Sequence, residues 1–172
     1  MGEIKSTLDL VMERTRHLSL SDEEKAQQNR EEFEKRLQGL LQQYEDGAMT
    51  VDSLQHRISD LQNELKIDDD QMIKRAIFGR IDPDQDNQRW MELIPTYVPA
   101  AAAPIQSILA DYHLNKKDLL EEGQQQQGET LRQAHHIQGK AVIPNPHKAT
   151  HYQQGLAAIK QETLAKIVQI AR

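Results

Sequence analysis

Apolar side chains recur at alternating intervals of four and three near the front of the chain, and they do so in successive stretches. Ile4, Leu8, Val11, Thr15 and Leu18 form the first series. Ala26, Arg30, Phe33, Leu37, Leu40 and Tyr44 form the second, with a charged break at Arg30. Val51, Leu54, Ile58, Leu61 and Leu65 form the third without interruption. Such alternation keeps side chains on one stripe of an α-helix, because an average step of 3.5 residues is close to one turn. A single stripe has nothing to bury against in water, so these seams must find partners. Each series lasts only two to three heptads. That length favours a helical hairpin or bundle over a long coiled coil.

The residues between the stripes agree. Ser21-Asp22-Glu23-Glu24 has the pattern of a capping box, and its three acidic residues suit the positive end of a helix dipole. Gly47 follows Tyr44-Glu45-Asp46, where a left-handed residue would stop a helix, and Thr50 is placed to cap the next. So short a connection predicts that the second and third helices run antiparallel as neighbours.

Beyond Leu65 the pattern is shorter-ranged. Asp68 with Gln71 reads as another capping box, Ile67 can staple onto Met72, and a fourth helix runs to about Phe78 or Gly79. Asp82-Pro83 suggests the start of a fifth helix carrying Trp90, Met91, Leu93 and Ile94. Pro95, Pro99 and Pro104 bracket what reads as an extended crossing, since residues before proline avoid the helical region. Ile105 to Tyr112 reads as helix, and Asn115 could cap another, stapled by Leu114 and Leu119. The tract Gly123-Gln-Gln-Gln-Gln-Gly128 is polar and of low complexity, and periodicity leaves loop and solvent-facing helix equally open. Pro144-Asn145-Pro146 is a breaker. From Gly155 to Arg172 an apolar face returns in Leu156, Ile159, Leu164, Ile167, Val168 and Ala171. No stretch reads convincingly as a strand. The expected fold is all-α: an N-terminal helical bundle over 1–94, then a proline-bracketed crossing to a C-terminal helical portion over 95–172. That portion holds a polar Gln-rich loop at 123–154, and it packs back on the first or onto a second chain.

The apolar inventory is modest for so many stripes. Hydrophobic residues make up 37 % and aromatics 4 % of the 172 residues, against roughly 45–50 % apolar usage in an ordinary globular domain. A core completed by another copy is one way to reconcile the two. The chain has no cysteine, which excludes disulfides, thiolate metal ligation and thiol nucleophiles. Its longest weakly apolar stretch, Tyr97 to Leu109, is cut by two prolines, and a spanning helix needs about 20 apolar residues. The opening residues carry no basic region followed by an apolar run. No secretory signal, no membrane association and a cytoplasmic location are therefore the expectations.

Charge is uneven. Residues 1–94 hold 13 basic and 21 acidic residues, a net of −8, whereas residues 95–172 hold 8 and 6, a net of +2. Complementary docking of the two halves, within or between chains, is one reading of this asymmetry. A weak affinity of the basic C-terminal third for anionic partners is another. Arg132, Lys140, Lys148, Lys160, Lys166 and Arg172 are widely spaced, without the dense basic stripe and interleaved aromatics of a nucleic-acid surface.

Histidines offer the one candidate metal set: His135 and His136 are adjacent, and His147 and His151 stand four apart. Two imidazoles at i and i+4 can share a metal on a helix face, but Pro146 precedes His147 and a metal site needs three or four convergent ligands. Asp82, Asp84 and Asp86 alternate like the start of a calcium loop. The sixth and twelfth positions counted from Asp82 are Asn87 and Leu93, where that loop needs glycine and glutamate, so the acids read as helix caps and solvated charge. Trp90 beside Arg89, and Tyr112-His113 beside Asp111, read as core anchors before they read as a pocket. No nucleophile elbow, phosphate-binding glycine loop or dinucleotide fingerprint is present. No catalytic residue and no cofactor is nominated.

The opening run from Met1 through Leu18, followed by Ser21-Asp-Glu-Glu-Lys25, resembles the start of an uncharacterised family of bacterial proteins. The resemblance covers about the first 25 residues and implies a soluble, all-helical protein with no assigned activity. From the residues themselves, the leading expectation is a non-catalytic helical protein that binds helical partners or itself, most simply as a homo-oligomer. The alternatives are a metal or small-ligand protein using the C-terminal histidines, and the anion binder above.

Overall fold

The protein is all-α in a computed structural model that describes residues 21–137, 139 and 142–170. Its elements are α1 (Asp22–Glu45), α2 (Val51–Leu65), α3 (Asp70–Phe78), α4 (Gln88–Tyr97), α5 (Ala102–Ala134), a 3₁₀ turn (Pro146–Lys148) and α6 (Thr150–Ile170), with no strand among the described residues. No helix of the described residues is long and apolar enough to cross a membrane. The chain divides into two compact units, Met1–Asp69 and Asp70–Arg172. The first apolar series, Ile4 to Leu18, lies outside the described residues.

In the first unit α1 and α2 pack as an antiparallel hairpin, as the short connection requires. Ser21 and Glu24 close the capping box reciprocally. Ser21 Oγ accepts from the Glu24 amide at 3.1 Å, and Glu24 Oε2 accepts from the Ser21 amide at 2.7 Å. Gly47 takes φ +81° after α1, and the amides of Gly47 and Ala48 satisfy the carbonyls of Tyr44 and Gln43. Thr50 Oγ1 then accepts from the Ser53 amide. The buried seam is Phe33, Leu37, Leu41 and Tyr44 on α1 against Leu54, Ile58 and Leu61 on α2. Leu41, rather than Leu40, continues the α1 seam, and Ala26 and Arg30 are exposed. The side chains at 33, 37, 41 and 44 follow the 3.6-residue turn of a straight helix, whereas a strict 3–4 alternation drifts off it.

The boundary between units falls at Asp69–Asp70 and not near residue 94, because α3, α4, α5 and α6 contact one another in series. Residues 79–87 are a turn rather than the start of α4. Asn87, 8 % exposed, holds the turn closed: its Nδ2 donates to the carbonyls of Asp82 at 2.7 Å and Gln85 at 2.9 Å, and its Oδ1 accepts from the Asp82 amide. Pro95 does not begin an extended crossing. It lies inside the last turn of α4, where it removes a single backbone hydrogen bond.

The largest departure from the expected organisation is α5. The stretch read as two short helices and a Gln-rich loop is one helix of 33 residues. Glutamine is a good helix former, and the two glycines bounding the tract are seats for the returning chain. Gly123 lies under Pro146 and Tyr152, and Gly128 under Pro144. The Pro144–Pro146 strap thereby turns the chain back along α5, and α6 packs antiparallel to it. Gly155 of α6 makes room in the same way for Leu119. Tyr152, Thr163 and Ile167 are buried on α6. Leu156, Ile159 and Leu164 are half-buried, and Val168 is exposed. Thr163 tolerates burial because its hydroxyl donates to the Ile159 carbonyl at 2.7 Å.

Candidate functional site

The described residues concentrate opposite charges at one place in the second unit. The turn closed by Asn87 presents Asp82 and Asp84. Tyr112 and Lys116 stand one helical turn apart on α5, and Lys160 projects from α6. Asp84 Oδ1 accepts from Lys116 Nζ at 2.6 Å and from Tyr112 OH at 2.7 Å, and Asp84 Oδ2 accepts from Lys160 Nζ at 2.8 Å. Lys160 Nζ also lies 2.7 Å from Asp82 Oδ1. Two carboxylates, two ammonium groups and one phenol thus saturate one another, with Lys116 Nζ 5.7 Å from the centre of the Tyr112 ring.

The electrostatics follow from those contacts. Lys116, then Lys160 and Tyr112, hold the Asp84 carboxyl well below the usual carboxylate range. Lys160 and the Asp84 amide lower Asp82. Asp82 and Asp84 together raise Lys160. Burial, followed by the hydrogen bond to Asp84, pushes the Tyr112 phenol up to about 12. General acid–base work at neutral pH needs a group whose pKa lies near the operating pH, and these shifts run away from neutrality on both sides. The cluster ties the 79–87 turn to α5 and α6. No local pattern marks Lys116 and Lys160 as partners of these acids, since they lie 32 and 76 residues from Asp84. Asp86, the third of the alternating acids, accepts from the Gln88 amide at 2.9 Å.

The candidate histidines occupy separate places. His135 and His136 end α5, both exposed, with His136 at φ +54°. His147 lies in the 3₁₀ turn, its amide held by Asn145 Oδ1 and its ring edge-on to Tyr152 at 5.1 Å. His151 is an exposed residue in the first turn of α6. Among the described residues no group of three or more His, Asp or Glu side chains is gathered in the way a metal ion needs. Trp90 and Tyr112 are buried, 2 % and 1 % exposed. Of the C-terminal basic residues, Lys160 is spent on the two aspartates, and Lys166 pairs with Glu162 at 2.7 Å.

The hairpin of the first unit carries a different feature, an open cleft of about 440 Å³ between α1 and α2. Arg36 and Glu64 bridge it with a bidentate pair, Nη1–Oε1 at 2.6 Å and Nη2–Oε2 at 2.8 Å. Half-buried Leu40 and exposed Gly39 line the α1 side; Arg57 and Asp60 line the α2 side. A Cβ built on Gly39 meets nothing within 4 Å. The exposed side chains of Arg57 and Asp60 make no hydrogen bond or ion pair among the described residues. The sequence carries a trace of this cleft: Gly39 interrupts a helix of otherwise good helix formers. Comparison with family models, with curated proteins and with solved structures finds no match for the chain.

Proposed function

We propose that this chain is a self-associating helical protein that works by helix-to-helix contact and not by catalysis. Gly39 carries the reading. A glycine in the interior of an α-helix costs roughly 1 kcal/mol relative to alanine. Gly123 and Gly155 are accounted for by the neighbours that press on them, but among the described residues no side chain or backbone takes up the space at Gly39. A bare backbone beside half-buried Leu40, in an open cleft, suits the close approach of another helix. The short apolar inventory supports the same reading, because pairing adds buried surface that a single chain lacks.

Sedimentation velocity and light scattering on the purified full chain test it. The expected result is a mass above that of the 19.8 kDa chain, rising with concentration through the micromolar range. A compact monomer at every concentration would overturn the proposal.

A further inference from the structure

We draw no further inference here: the strongest candidate, the apolar surface that α5 and α6 leave uncovered at the exposed side chains of Leu114 and Val168, carries nothing because nothing in the structure shows what covers it.

Discussion

Gly123 and Pro146 approach so closely that no methyl group fits between them: a Cβ at position 123 would lie 2.8 Å from Pro146 Cβ and 3.3 Å from the Tyr152 ring. This contact seats the returning chain against α5. Gly123→Ala should therefore destabilise the second unit. Overpacking costs about 1–3 kcal/mol, and the helix-propensity gain of about 1 kcal/mol offsets only part of it. Gly128→Ala, whose Cβ would meet Pro144 Cγ at 3.4 Å, should be neutral or stabilising by up to about 1 kcal/mol. Urea unfolding followed by the fluorescence of Trp90, the one tryptophan of the chain, separates the two.

The seam of α1 makes a second contrast. Leu41 is fully buried and Leu40 only half so. Leu41→Ala should cost about 2–5 kcal/mol, as deletion of a packed core leucine does. Leu40→Ala should cost less than about 1.5 kcal/mol, in line with its partial burial. Thermal unfolding by circular dichroism measures both, and equal losses would contradict the seam described above.

Asp84 sets the acid limb. Its native pKa lies below the ordinary 3.8, so its ionised form adds stability that is complete above that value. The contribution drains away as the pH falls from 3.8 toward the lowered native value, where the folded chain binds fewer protons than the unfolded one. Asp82 acts in the same sense. Asp84→Asn should lower stability at neutral pH by about 1–2 kcal/mol, given that its partners remain partly solvated. It should also flatten the loss in that acid window. Unfolding midpoints at a series of acid pH values, with and without the substitution, provide the check.

Tyr112 and Lys160 set the alkaline limb. The Tyr112 phenol, ordinarily near 10.0, is pushed up to about 12, and Lys160 is raised above its ordinary 10.5. Each favours the protonated form in the folded chain, so its contribution is whole below the ordinary value and is lost as the pH climbs through the native one. Stability should fall between about 10 and 12. Ultraviolet absorbance should show a late phenolate step, shared with the Tyr97 phenol that burial and Asp70 also push up to about 12, and Tyr112→Phe should reduce its amplitude without removing it.

Much of the local structure was already legible in the sequence. The Ser21 capping box, the Gly47 stop, the Thr50 cap and the α2 seam depend on groups within a few residues of each other, and hydrogen-bonding capacity and helical period suffice to read them. The 79–87 turn is not legible locally: Pro83 suits the first position of a helix, while the deciding group, the buried amide of Asn87, acts through carbonyls whose positions only a closed turn defines. Pro95 misled for a related reason: one proline in a terminal turn loses a single hydrogen bond, which packing of Leu93 and Ile94 into the core outweighs.

The chain's own residue order determined that it is helical, where several of its helices begin and end, and which side of α2 is apolar, because these follow from interactions between neighbours in sequence. Tertiary structure alone decided that Asp84 meets Lys116 and Lys160, that Gly123 lies beneath Pro146, and that nothing among the described residues covers Gly39. Those relationships join residues dozens of positions apart, and no local period or propensity encodes which distant side chain will arrive, or that none will.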